Sequence, residues 1–270
     1  MDNLNTNLVV VKHNAVIEAG YRLSIYENRI LLTCIGQVDS MGTIDLNDSF
    51  TVTAQDLIGL VGLDNKNTYK QLQNATKRLM QRVVIISLPN NETLETHWVS
   101  SAKYSPNIGT VSIKFAQDII PYISELRRNF TKYHLHNVLL FKSNYSIRIY
   151  ELLVKWGGHE KTITIDWFKQ HFQLEDKYAR IGNLKQKVID VAVNEINKHS
   201  NMTLSYSQIK RGRNIVAFKF EYELKDMPQK KSTLDYYEKT YGVSNREIKA
   251  QARPGESYLD VIDRIRKQKS

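Results

Sequence analysis

One cysteine occurs in 270 residues. Cys34 has no partner for an internal disulfide, and its place in the apolar run NRILLTCIGQV marks it as a core packer rather than a nucleophile. No run approaches the roughly eighteen apolar residues that a membrane-crossing helix needs. The opening MDNLNTN lacks the basic-then-apolar pattern of an export signal, so a reducing cytoplasm is expected. Neither G-x-x-x-x-G-K-[ST] nor G-x-G-x-x-G is present, which argues against an ATPase or a dinucleotide enzyme. Acid is scarce: 28 Asp and Glu stand against 38 Lys and Arg, giving a net charge of +10 and a pI near 9.4. Such a field favours polyanions, either nucleic-acid phosphates or anionic lipid, although an ordinary soluble protein can also be basic.

What the chain does have is one structural sentence written twice. TVTAQDLIGLVGL (51–63) and TITIDWFKQHFQL (162–174) both open with alternating Thr and β-branched residues, a strand signal, and then change to helical spacing. Leu57, Val61 and Leu63 match Phe168, Phe172 and Leu174 at a constant offset. Each copy is followed by a helix rich in Lys, Arg, Gln and Asn and then by strands. Strand, helix, polar-faced helix and hairpin is the order of a winged helix-turn-helix. The expected fold class is α+β: two winged helix-turn-helix domains related by a pseudo-twofold repeat, plus a charged C-terminal tail. The expected domains are 1–133, 134–225 and a flexible tail over 226–270 that is poor in large aliphatics. Late in the tail Tyr258, Leu259, Ile262 and Ile265 share a helical face.

Local signals fill in the modules. Ser24 is placed to cap a helix through NRILLTCIGQV, Thr53 with Asp56 resembles a capping box, and Ser143 can cap a helix that Gly157–Gly158 stop. Residues 117–133 read as a helix closing the first module. Asn183 is placed to cap a helix over 183–199.

That last helix is the best candidate for reading DNA. Projected at a helical period, Leu184, Val188, Ile189, Val191, Ala192 and Ile196 fall within about 160° of arc. Gln186, Lys187, Asp190, Asn194, Asn197 and Lys198 take the other side. Gln and Asn pair bidentately with adenine, Lys can approach guanine, and the helix N-terminus offers free N–H groups to a phosphate. From Arg180 to Phe220 eight basic residues face only two acids, Asp190 and Glu195, so the region as a whole is cationic. Lys210, Arg211 and Arg213 sit at the tip of a hairpin over 202–224, where they suit a minor groove or phosphates. Lys185 projects to the core edge and is assigned to phosphate from the first turn. Glu195 falls in the apolar stripe and needs a partner, for which Arg148 is the candidate. The first module has a weaker head: Lys66, Lys70, Gln73, Lys77, Arg78 and Arg82. Its large wing and the apolar segment Leu8–Val11 with Ile17 could instead build a protein interface.

Four stretches carry a resemblance: NLVVVKHNAVIEAGYRLSIYENRILL (7–32), LFKSNYSIRIYELL (140–153), DKYARIGNLKQKVIDVAVNEIN (176–197) and SYSQIKRGRNIVAFKF (205–220). Together they resemble the iteron-binding plasmid replication initiators of the theta type, over about residues 7–224. The resemblance implies a second domain that reads repeated origin sites (iterons) in the major groove, and a first domain that adds backbone contacts and dimerises. It implies monomers that help open an AT-rich region, dimers that repress the initiator's own gene, and host initiator and helicase as further partners. Carried onto this chain, Arg180, Lys185, Gln186 and Lys187 are the main DNA contacts and Lys210, Arg211 and Arg213 the wing contacts. Family members often carry Arg where this chain has Lys185–Gln186–Lys187, which implies a different base preference. No catalytic residue, cofactor or metal is expected.

Two rivals are weighed against this reading. A rolling-circle nicking enzyme would use a His–hydrophobic–His pair and a tyrosine. His134–Leu135–His136 with Tyr145 or Tyr150 fits that short pattern, but no further ligand or sheet platform is evident. A winged-helix transcriptional repressor would use the same side chains in the same way, and only the resemblance favours initiation.

Overall fold

A computed structural model describes residues 8–55 and 67–225, and in the tail Val243, Glu247, Gln251, Val261, Arg264, Ile265 and Gln268. Residues 1–225 form one compact unit and 226–270 another. Leu57, Val61, Leu63, Lys66 and the Asp56 half of the expected capping box lie outside the described residues.

The chain enters through β1 (Val9–His13), a short helix α1 (Asn14–Ile17) and α2 (Ile25–Ile35). Ser24 and Glu27 form the capping box at the start of α2: the Ser24 hydroxyl accepts from the Glu27 N–H at 3.3 Å and Glu27 accepts from the Ser24 N–H at 2.9 Å. Such a cap is worth about 1 kcal/mol. Cys34 is fully buried, and burial pushes its thiol above the usual range, as a core packer requires. Strand β2 (Phe50–Thr53) precedes the region outside the description, after which come α3 (Thr68–Leu79), β3 (Val83–Ser87), β4 (Thr93–His97), β5 (Val99–Ser105) and β6 (Thr110–Phe115).

The helix expected over 117–133 is not formed. A 3-10 turn spans Gln117–Tyr122, with Pro121 inside it, and β7 (Phe130–His134) follows. Pro121 has no N–H to donate and cannot carry a longer helix, and Glu125 and Asn129 hold positive φ angles between turn and strand. Strand β7 pairs antiparallel with β1, from Val9 opposite His134 to His13 opposite Phe130. The segment Leu8–Val11 is thereby used inside the molecule, with Val10 buried.

After α4 (His136–Leu139) come α5 (Asn144–Trp156), β8 (Glu160–Thr164) and α6 (Ile165–His171). Ser143 caps α5 through the Tyr145 N–H, and α5 stops at Gly157, whose φ of 61° disfavours a residue with a side chain. Ile181–Leu184, a π-helical turn Lys185–Ile189, and Asp190–His199 run end to end as one helix, α7 (181–199). The hairpin β9 (Met202–Arg211) and β10 (Asn214–Leu224) closes the module.

The repeat is visible in sheet topology. One sheet has the order β2–β6–β5 and the other β8–β10–β9. In each, the strand that opens the repeat pairs with the last strand of the following hairpin, Thr53 opposite Thr110 and Thr164 opposite Ala217. The first copy also carries an extra hairpin, β3–β4, a separate two-stranded sheet that bridges to Gly20 through Ile85. Both copies are winged helices, the two domains expected from the sequence. In the tail, Val243, Val261 and Ile265 are buried, and the Arg264 guanidinium donates to the Gln251 carbonyl at 2.7 Å. Ile265 belongs to the face expected there; Tyr258, Leu259 and Ile262 lie outside the described residues.

Candidate nucleic-acid interface

Helix α7 packs through Leu184, Val188, Ile189, Ala192 and Ile196, all fully buried, against α5 and against Met202, Leu204, Phe218 and Phe220 of the hairpin. Val191, assigned to the same stripe, is half-buried. The π-helical turn falls on Lys185–Gln186–Lys187 and adds one residue to the turn. Within it Val188 and Ile189 both face inward, while Gln186 and Lys187 stay exposed.

Asn183 is not the cap of this helix. Its N–H already donates to the Arg180 carbonyl at 2.9 Å, so the first turn has closed and Arg180 is the cap residue, without a side-chain cap bond. Asn183 instead sits exposed on the first turn. Arg180, Gln186, Lys187, Asn194 and Lys198 are exposed, and their side chains form no hydrogen bond or ion pair among the described residues. Lys185 is different. Its ammonium lies 3.2 Å from the Asp190 carboxylate and above the Tyr206 ring, and hydrogen bonding to Tyr206 and Asp190 raises it above the usual lysine range. Tyr206 in turn donates to Asp190. Asp190 and Tyr206 therefore hold Lys185 in place at the start of the helix. The alternation of β9, which turns Met202, Leu204 and Tyr206 inward, was the signal that could have found Tyr206. Asn197, placed on the polar face, is also committed: its amide donates to the Leu204 carbonyl at 2.7 Å and accepts from the Leu204 N–H at 2.8 Å, tying α7 to β9.

The hairpin carries Lys210, Arg211 and Arg213 around Gly212, whose φ of 62° makes the tight reversal. All three cations are exposed and unpaired among the described residues. A bulge between Ile215 and Ala217 twists the strands just below them.

In the first module Lys70 and Lys77 are exposed on α3 and Gln73 is half-buried. Arg78, expected in the same head, is engaged elsewhere. Arg78 and Arg82 donate at 3.0 and 2.9 Å to Glu27, a fully buried carboxylate. Burial by itself would raise Glu27, but bonds from Arg82, the Ser24 N–H and Arg78 outweigh it and hold the carboxyl below the usual range. Glu27 thus pins α3 onto the start of α2.

The pair expected between Glu195 and Arg148 is not formed. Glu195 accepts from the N–H groups of Lys142 and Ser143 at 3.0 and 3.2 Å, capping α5 from the middle of α7. Arg148 is buried and donates to the carbonyls of Ala19 (2.7 Å), Tyr21 (2.9 Å) and His171 (3.4 Å) and to the His171 ring nitrogen (2.9 Å). Both side chains found backbone partners that a sequence projection does not show.

His134 and His136 stack with ring centroids 5.3 Å apart, and among the described residues no group of three His, Cys, Asp or Glu side chains could hold a metal. Tyr150 is buried, taking a bond from Asn137 and giving one to Asn201. Among the described residues no helix is long and apolar enough to cross a membrane.

Two winged helices, the second with an exposed cationic reading helix and a cationic wing tip, define a double winged-helix DNA-binding protein. Two family models match in succession: "Initiator Replication protein, WH1" over residues 9–154 and "Initiator Rep protein, WH2" over residues 164–222. The chain belongs to this initiator replication protein family. An Escherichia coli "Replication initiation protein" is 32% identical over 228 residues, covering 81% of this chain and 71% of that protein. The Escherichia coli "PI protein" is 25% identical over 258 residues, covering 82% and 85%. Among solved structures, "Pi initiator protein in complex with iteron DNA" superposes with a TM-score of 0.71 at 24% identity, covering 83% of this chain and all of that one, and so shares the fold.

Proposed function

We propose that this protein initiates plasmid replication by binding tandem repeats of double-stranded DNA at its origin. The observation that carries the reading is the second module: an exposed row of Arg180, Gln186 and Lys187 at the start of α7 beside the unpaired tip Lys210, Arg211 and Arg213. Gln186 and Lys187 have the chemistry to read base edges in the major groove, while Arg180, Lys185 and the wing bind phosphate. Asn183, Asn194 and Lys198, also exposed along α7, would add to the contact. The first module adds backbone contacts through Lys70 and Lys77, with Gln73 between them.

On this reading residues 1–133 clamp and dimerise, 134–225 read sequence, and binding strains an adjacent AT-rich stretch until it opens. The tip of the β5–β6 hairpin, where Ile108 is 73% exposed, is a candidate dimer contact. A dimer would repress the gene at an inverted repeat, and host initiator and helicase complete the partner set. The protein works by binding and not by cutting DNA, in keeping with a Tyr150 hydroxyl buried in bonds to Asn137 and Asn201.

Footprinting on the surrounding plasmid DNA tests this. Protected direct repeats beside an AT-rich stretch, each covering about two helical turns, are expected. Protection of a lone palindrome would make the protein a repressor. A strand-specific nick on supercoiled origin plasmid with Mg²⁺ or Mn²⁺ would make it a nuclease.

A further inference from the structure

Helix α5 carries three charged residues, Arg148, Glu151 and Lys155, at spacings that place them on one stripe. Each meets a group from the N-terminal part of the chain. Arg148 takes the Ala19 and Tyr21 carbonyls, and its guanidinium lies 4.2 Å from the centre of the Tyr21 ring. Glu151 meets the Lys12 ammonium of β1 at 2.6 Å and accepts from the Tyr133 hydroxyl of β7. Lys155 pairs with Glu18. On its other side Arg148 holds His171 of α6 and lies 5.0 Å from the Phe172 ring. Lys12, Glu151 and Arg148 are all at least 97% buried.

A seam of this composition is a poor source of stability, because desolvating buried ions offsets most of their attraction; its value lies in direction. An apolar seam could slide by a fraction of a residue with little loss. Fixed donors aimed at two particular carbonyls and one carboxylate cannot. A second joint repeats the device. Arg29 of α2 donates to the Leu139 and Phe141 carbonyls at 3.2 and 3.0 Å, and Glu195 of the reading helix caps the next two N–H groups.

We propose that the charged stripe of α5 fixes the position of the reading helix relative to the first module, and so sets the base-pair spacing between the two modules' DNA contacts. Arg148 and Glu151 are then positioning residues for site selection, although neither touches DNA. The inference rests on the proposed two-module binding.

The test measures binding of the full chain to a duplex carrying one origin repeat, intact or with one to four base pairs inserted between the two contact regions. The wild type is expected to lose affinity steeply, by about tenfold or more at two inserted pairs, since a displaced half-site forfeits its contacts. Arg148→Met should flatten this profile. Because Arg148→Met strands three carbonyls and can unfold the chain, the main variant is the triple change Lys12→Met, Tyr133→Phe and Glu151→Met. It replaces the ion cluster by apolar groups of similar size, an exchange that proteins tolerate. The triple variant should bind a one-turn duplex of the second-module contact region as the wild type does, and its affinity across the inserted series should vary by only about threefold. A folded triple variant with the wild-type spacing profile would overturn the proposal and leave two-module binding intact. A wild-type footprint confined to one turn would overturn the two-module reading itself, and the spacing inference with it.

Discussion

The two winged helices share sheet order and even the left-handed glycine of the wing turn, Gly109 at φ 64° and Gly212 at φ 62°. What surrounds those glycines differs. The first turn reads Pro106–Asn107–Ile108–Gly109 and the second Lys210–Arg211–Gly212–Arg213. The arginines differ in the same way. Arg78 in the last turn of α3 and Arg82 just beyond it are tied to a buried Glu27, whereas Arg180, Arg211 and Arg213 hold no acid among the described residues. A repeated scaffold therefore does not imply a repeated task. The same fold ties Arg78 and Arg82 to an internal carboxylate in one copy and leaves Arg211 and Arg213 at the wing tip of the other exposed to solvent.

The sharpest break in that comparison is to strip the second wing. Lys210→Ala, Arg211→Ala and Arg213→Ala together should weaken specific and nonspecific binding alike, by about 100-fold or more at moderate salt, and lower the slope of log K against log salt by about 3. Salt-titrated anisotropy would measure both, and an unchanged slope would remove the wing from the phosphates. Gln186→Ala and Lys187→Ala should act differently, each costing about 1–3 kcal/mol on the cognate repeat and much less on scrambled DNA. Equal losses on both DNAs would dissolve the split between reading and clamping residues.

Glu27→Gln tests the first module's side. It should cost about 2 kcal/mol in urea unfolding, through the lost ion pairs and the weakened capping box, while freeing Arg78 and Arg82 and strengthening nonspecific binding slightly. A loss of DNA affinity in folded protein would mean that the tied arginines already face DNA.

His171 gives a pH test. Burial first, then Arg148 and Lys155, lower it from 6.5 to about 2, so the folded state keeps it neutral. The unfolded chain takes up that proton below about pH 6.5, so stability falls as pH falls, by no more than about 1.4 kcal/mol per pH unit. His171→Gln should flatten the melting temperature between pH 6.5 and 5, above the carboxylate range. An unaltered slope would place the titration elsewhere. The smallest effect is a gain: Ile108→Lys, which makes the first tip resemble the second, should raise nonspecific affinity by about twofold in the same anisotropy assay, and an unchanged affinity would place that tip away from the phosphates.

Much of this was legible in the chain. The Thr-rich strands of the repeat, the Ser24 and Ser143 caps and the glycine stop of α5 are local signals, and each is decided by neighbours a few residues away. The failures have two causes, a local turn placed a few residues off and partners that only the fold brings together. Asn183 looked like a cap, but the turn had already begun at Arg180. Residues 117–133 had helical spacing, but Pro121 and the pairing of Phe130–His134 with β1 overrode it. Arg148 and Glu195 looked like partners because only side chains can be compared in a sequence, while their real partners are backbone atoms that the fold delivers. Lys185, Asn197 and Arg78 all read as free polar residues until Asp190, the Leu204 backbone and Glu27 arrived.

By itself the sequence determined that two winged helices would form in a basic chain, and that the second would carry the stronger cationic face. Periodicity and net charge are properties of the chain and survive any arrangement of it. Tertiary structure alone decided whether Arg78 is free and how the N-terminal part of the chain meets α5, because these depend on groups far apart in sequence, Arg78 and Glu27 51 positions and Arg148 and Ala19 129 positions, being brought to 3.0 and 2.7 Å.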